Sequence, residues 1–463
     1  MLLVLKLLVK KLLFGFSLLL YYFFDRNSAL IKTSNILGQR KIYESKWLLS
    51  IIDKLFVRTK QFSFQGTNNT TKIVDKSHII ICLTGLLNPK NKSHSKLYYM
   101  LAKMYLKADS HNKVTFFITG EHVYMKELLR NKPSNVNEYL DDFRNLKYDT
   151  NDSRFNYEVI TTSTNDVEVN IQKACEQILD LNPTHLVFFS GWNCDSPFVR
   201  KILFDFVPTI YYMTQDTHLM PNNAHLMIVA KAKKKWQAKV IFPVLDIDNS
   251  FFGKKENIPL NLYENNEIVN KFKKHNKTVV IATIMLGKRI FNCLSSYSRK
   301  ELNMFLDYIE NNNVVWYLIG VEDENALRCI SEELNVLIER NKIVILKFKT
   351  SIDEFLVDLD IYCHLPRLIG GGGIVSMALR NKTVLICDSN SDVAQRLEDK
   401  YIFDDFKVFF KNIEELTNSV EKRLETMISQ NLFLNRYSEK EVYDNTRIKL
   451  ENATKIFNSY IKS

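Results

Sequence analysis

Two doubly wound, Rossmann-like α/β domains in series, behind an N-terminal amphipathic or membrane helix, are the fold class this sequence predicts. Three observations predict it. Short apolar runs alternate with helical patterns from about residue 78 to 245, a polar and charge-rich stretch at 246–277 interrupts them, and the alternation restarts at 278. Strand–helix alternation of this kind builds a mostly parallel sheet with helices on both faces. At 463 residues the chain is long enough for two such cores, and 46% hydrophobic with 25% charged residues excludes wholesale disorder.

The first 24 residues read MLLVLKLLVKKLLFGFSLLLYYFF. Their longest uncharged stretch, 12–24, falls short of the ~20 residues that a spanning helix needs. Lys6, Lys10 and Ser17 share one side of a helical wheel, which suits a helix lying in a membrane interface with its lysines toward anionic headgroups. A single spanning anchor with snorkelling lysines and an ordinary helix packed on the protein body are the alternatives. The bulky end of the segment, followed by Asp25 and Arg26, argues against a cleaved signal peptide. With Lys+Arg at 63 against Asp+Glu at 52, the chain favours anionic partners. Seven scattered cysteines without a CxxC pair fit buried thiols in a reducing cytosol. The expected location is therefore the cytoplasmic side of the inner (cell) membrane.

The expected segments are a membrane-associating helix and helical lead-in (1–72), a first domain (73–245), a linker (246–277), a second domain (278–438) and a closing helix (439–463). In the first domain, strands are expected at 78–83, 114–119, 157–161, 185–189 and 209–213, with helices near 94–107, 166–180 and 196–206. In the second, strands are expected at 278–283, 314–319, 343–348, 361–365 and 384–387. Helices near 299–311, 324–340, 352–358, 374–380 and 412–430 fill its gaps.

Glycine is scarce, 13 residues in all, so its placement is informative. Gly85, Gly120, Gly191, Gly287 and Gly320 each follow an expected strand, the edge where open α/β sheets bind ligands. Four more form the run Gly370-Gly371-Gly372-Gly373, between the strand ending in His364-Leu365-Pro366 and the helix that opens at Ile374. A glycine turn at a helix N-terminus offers free amides to a diphosphate. No Gly-Lys-Ser/Thr follows, and the run comes too late in its domain for a first-turn dinucleotide fingerprint.

Asp360-Ile361, then Pro366, the glycine run, Ala378-Leu379 and Val384 together resemble the donor-binding region of GT-B glycosyltransferases. The resemblance extends over about 278–400, including Thr278–Thr283 with Gly287-Lys288-Arg289, Trp316 to Gly320 and Val344 to Phe348. It is most similar, distantly, to the bacterial protein N-glucosyltransferases and the O-GlcNAc transferase group. The resemblance implies GT-B architecture with both domains facing a cleft, and metal-independent transfer of a hexosyl or N-acetylhexosaminyl group. It implies no cofactor, a nucleotide-sugar of the UDP-sugar type as co-substrate, and a glycan, lipid-linked or protein acceptor in surface-glycan assembly. Carried over residue by residue, Lys288 and Arg289 contact the donor diphosphate, the backbone of Gly371, Gly372, Gly373 and Ile374 cradles phosphate or sugar hydroxyls, and Thr350 lies near the base. Met377 stands where many members carry a glutamate, so the resemblance is also compatible with a non-catalytic subunit that stabilises a partner glycosyltransferase. A sugar-nucleotide epimerase of the same fold is the other alternative.

A general base for the acceptor should come from loops after first-domain strands. Asp216 and His218 rank first, then Asp195, then Glu121, with His94 as a further acceptor or diphosphate contact. Asp246-Ile247-Asp248 and Asp358-Leu359-Asp360 resemble metal-binding pairs, but their positions in the linker and at a strand start point away from a metal. The basic runs 231–239 and 271–277 suit a lipid face or a solvated one, and no nucleic-acid module accompanies them.

Overall fold

The computed structural model describes residues 77–83, 93–119, 121, 152–160, 167–189, 195–213, 223–229, 244–246, 278–347, 353–368, 370, 374–389, 391, 393–394, 397–434 and 439–462. The expected N-terminal helix and residues 247–277 of the linker lie outside them. The chain divides into two compact units, one of Met1–Asp248 with Lys440–Ser463 and another of Asn249–Glu439.

The first unit contains β1 (His78–Leu83), α1 (Ser93–Ala108), β2 (Lys113–Ile118), β3 (Phe155–Val159), α2 (Val167–Asp180), β4 (His185–Phe189), α3 (Pro197–Leu203), β5 (Thr209–Met213), β6 (Leu226–Val229) and β7 (Val244–Asp246). These strands form one sheet in the order β3-β2-β1-β4-β5-β6-β7, with every pairing parallel. In β1, Ile79 to Leu83 are all buried, the unbroken apolar run of a strand covered on both faces. Strands β6 and β7 have only four and three residues, too short for an alternation to be read from sequence.

The chain's last helix, Glu439–Lys462, belongs to this first unit. It buries Leu450, Ala453 and Phe457. The His185 ring donates from Nε2 to the Leu450 carbonyl at 3.0 Å, and the Tyr460 hydroxyl donates to Asp205 at 2.8 Å. His225 lies parallel to Phe204, centroids 4.1 Å apart, with Phe457 edge-on at 5.0 Å.

The second unit contains β8 (Val279–Ile284), α4 (Arg289–Leu294), α5 (Arg299–Asn311), β9 (Val314–Ile319), α6 (Glu324–Arg328), α7 (Glu332–Glu339), β10 (Ile343–Leu346), α8 (Asp353–Val357), β11 (Ile361–His364), α9 (Ile374–Arg380), β12 (Val384–Asp388), β13 (Ile402–Phe403), α10 (Phe406–Asn418) and α11 (Val420–Leu434). Its six parallel strands run β10-β9-β8-β11-β12-β13. Alternate strand residues feed two cores. Ile281, Cys363 and Ile386 join the cluster under α5, α7 and α10, whereas Ala282, Tyr362 and Leu385 join the one under α8 and α9.

Two expected helices prove to be pairs. The segment 324–340 breaks before Ser331, whose hydroxyl caps a new helix by accepting from Leu334 N–H. The segment 412–430 breaks at Ser419, and the first helix begins earlier, capped by Asp405. Helix α4 has only six residues and no periodicity to reveal it. In the centre of the sheet the Trp316 indole donates to Thr283 Oγ1 at 3.0 Å, and that hydroxyl donates to the Cys363 carbonyl at 2.8 Å. These two bonds link β9, β8 and β11 and satisfy the buried indole N–H and the Thr283 hydroxyl.

Candidate functional site

Strand order reverses in the second unit between β8 and β11, and ligands of doubly wound sheets bind beyond the carboxyl ends of the strands at such a point. After β8 the chain passes through buried Met285, exposed Leu286 and Gly287 into Lys288, the N-cap of α4, and Arg289, its first residue. Lys288 and Arg289 are both exposed. Gly320, leaving β9, brings its backbone so close to this strand that a Cβ there would sit 2.3 Å from the Met285 carbonyl oxygen.

The exit of β11 meets the exit of β8 at Gly370. Its φ of +98° belongs to glycine, and a Cβ built there would lie 2.6 Å from Arg289 Nη1. That guanidinium also donates to Met285 Sδ at 3.4 Å. The intervening loop is fastened on several sides. The His364 ring is buried and donates from Nε2 to the Leu368 carbonyl at 3.0 Å, so its Nδ1 accepts from the Tyr362 hydroxyl. Burial pushes its pKa down to about 4, which keeps the ring neutral. The Pro366 carbonyl accepts from the Tyr297 hydroxyl at 3.0 Å, and Arg367 N–H donates to Asp388 Oδ2 at 3.1 Å.

In the first unit, Glu121 and Asp195 both bond to α3, Glu121 to its first-turn amides and Asp195 to the side chain of Arg200. Glu121 is buried and accepts from Phe198 N–H at 2.7 Å and Val199 N–H at 3.1 Å. Burial pushes its carboxyl up to about 8 against the pull of those two amides, and the neighbouring Asp195 charge adds to the rise. Asp195 pairs with the buried Arg200 fork at 2.9 and 3.2 Å and accepts from the Tyr211 hydroxyl at 3.1 Å. Among the described residues no group of three or more His, Cys, Asp or Glu is placed to hold a metal ion. Among them, too, no helix is long and apolar enough to cross a membrane.

No family model matches the chain, and no curated protein matches it. Solved structures do. An O-GlcNAc transferase from Thermobaculum terrenum, in a mutant form, superimposes with a TM-score of 0.58 at 10% identity, covering 95% of this chain and 79% of that one. The chain has the GT-B fold. A glycosyltransferase from Rickettsia africae matches at 14% identity over 82% of this chain and 99% of its own, TM-score 0.48. HepE from Anabaena, solved with UDP and glucose, matches at 12% identity over 83% and 98%, TM-score 0.41.

Of the residues predicted to hold a donor in this GT-B chain, Lys288 and Arg289 stand together on the exit of β8, and Arg289 meets the glycine run at Gly370. Ile374 opens α9 and packs half-buried on the core beneath it. Thr350, Gly371, Gly372 and Gly373 lie outside the described residues, as do Asp216, His218 and the side chain of His94. Met377 also packs on the α9 core, so that helix turns an apolar side chain where the resemblance puts a glutamate. Asp360 accepts from Val280 N–H at 2.9 Å and ties β11 to β8. Arg367 and Asp388 are not legible as site residues, because they meet each other across 21 positions and Arg367 meets Glu301 across 66.

Proposed function

We propose that this chain transfers a sugar from a nucleotide-sugar donor, of the UDP-sugar type, to a glycan, lipid-linked or protein acceptor. The observation that carries the reading is Arg289 lying against Gly370 at the switch point, beside exposed Lys288. One cation lies against a glycine backbone, and a second, exposed one precedes it in sequence, at the strand ends where this fold takes its ligand, which suits a diphosphate. The fold match to a protein named as an O-GlcNAc transferase supports transfer over epimerisation. In such a transfer the acceptor attacks the anomeric carbon and the bond to the donor's β-phosphate breaks. The nucleoside diphosphate leaves with added negative charge, which Lys288 and Arg289 would neutralise. Asp216 or His218 would take the acceptor proton. The amphipathic segment 1–24 would hold the enzyme at an anionic membrane surface, on the cytoplasmic side of the cell membrane.

Titrating the purified chain with UDP and with uridine tests the donor site. UDP should bind more tightly, and Lys288→Ala should erase part of that difference. A parent chain that prefers neither would overturn the reading. Met377 in the apolar core favours a second one, a non-catalytic subunit beside a partner transferase. Turnover of UDP-glucose or UDP-N-acetylglucosamine by the full chain separates the two.

A further inference from the structure

Among the described residues, four non-glycine residues have positive φ: Asn182 (51°), Asn341 (55°), Lys382 (58°) and Arg367 (66°). The first three each lie two positions beyond the last residue of a helix, α2, α7 and α9, where a left-handed cap is common. Arg367 is different. It follows a strand, three residues past His364, in the loop that leads to Gly370. Glycine or asparagine would hold the same turn with less steric conflict, so an arginine there points to work done by its side chain.

That side chain grips a helix N-terminus. The guanidinium engages Glu301 through both terminal nitrogens, Nη2 to Oε1 and Nη1 to Oε2, the latter at 3.1 Å. Nη1 also donates to the Ser296 carbonyl at 3.1 Å, and the group lies 5.8 Å from the centre of the Tyr297 ring. Glu301 is itself fixed, because it closes the capping box of α5 by accepting from Ser298 N–H at 2.8 Å. Tyr297, next to these anchors, holds the Pro366 carbonyl. The loop is thus clamped by the arginine fork on one side and by Asp388 at its own N–H on the other.

We infer that Arg367 is a positioning residue. It holds the loop between β11 and Gly370 in the conformation that sets Gly370 against Arg289, and so shapes the phosphate subsite without touching a ligand. The inference rests on the donor reading above.

Three full-length variants test it. Arg367→Gly keeps the left-handed turn and removes the fork, Arg367→Lys keeps a charge for Glu301 without the fork, and Glu301→Gln keeps an acceptor for the capping box. Each is compared with the parent in UDP affinity, uridine affinity and amide exchange of the ligand-free peptide 365–375. Arg367→Gly should lose UDP affinity about tenfold and leave uridine binding unchanged, while Arg367→Lys falls between it and the parent. Exchange in that peptide should quicken while the thermal midpoint moves by no more than about two degrees. Combining Arg367→Gly with Glu301→Gln should cost no more than Arg367→Gly alone, since both break one interaction. If the parent binds UDP and Arg367→Gly binds it equally well, the clamp is refuted and the donor reading stands. If the parent binds no UDP, the donor reading fails, and unchanged exchange in the variant refutes the clamp independently.

Discussion

Arg289 and Glu121 show how differently two titratable residues beside glycine-marked strand ends are used. Arg289 is exposed and reaches across from one loop to the next strand's exit, so truncating it removes little packing. Arg289→Ala should weaken UDP about tenfold by titration calorimetry, with uridine binding and the thermal midpoint unchanged. Glu121 is buried against the first turn of α3, and its carboxyl titrates near 8 in the fold against about 4.5 when unfolded. Between those values the unfolded chain releases a proton that the folded chain keeps, so stability falls as pH rises through this window. Glu121→Gln should flatten that slope, measured as the difference between parent and variant in denaturant unfolding at pH 5 and pH 8.

At the scale of elements, the helix Glu439–Lys462 has the most consequential placement. It follows the second unit in sequence yet completes the core of the first, with Leu450 and Phe457 buried and the His185 ring bonded to its backbone. Ending the chain at residue 438 should therefore destabilise the first unit by about 4 kcal/mol or more, the worth of two buried large side chains. The second unit should still melt as in the parent. Differential scanning calorimetry with UDP present, which on the donor reading should protect the second unit, would assign the transitions. The docking should also depend on pH. Burial holds His185 down to about 4 and His225 to about 3, whereas both rings take protons near 6.5 once unfolded. Proton uptake thus favours unfolding, and the first unit should lose stability as pH drops below about 6.5. Burying His185 alone contributes up to roughly 3 kcal/mol of this by pH 4, so His185→Gln should shift the acid limb of the melting curve.

For the molecule as a whole, two sheets of like strand order follow one another along the chain, and the second carries Lys288, Arg289 and Gly370 at its strand ends. The net charge of +11 and the lysine-bearing segment 1–24 belong to the question of where it works. Deleting residues 1–24 should release the protein from membrane pellets while UDP binding persists. If that segment is the anchor, salt alone should release only part of the parent, because apolar burial would supply most of the attachment. A truncated chain that stays in the pellet after a carbonate wash would place the anchor elsewhere.

The sequence determined the two-sheet architecture, since runs such as Ile79 to Leu83 and Val384 to Cys387 suit strands buried between helices, and the helical segments between them suit parallel crossovers. It also determined the cationic pair and the glycine run, whose chemistry is local. Tertiary structure decided the rest. Strand order and the reversal at β8 and β11 arise from pairing between distant segments, and so do the bond from Arg367 to Glu301 and the docking of the last helix on the first sheet. No local pattern encodes these contacts. An arginine at positive φ reads like any other arginine until the helix that holds it, 66 residues away, is in place.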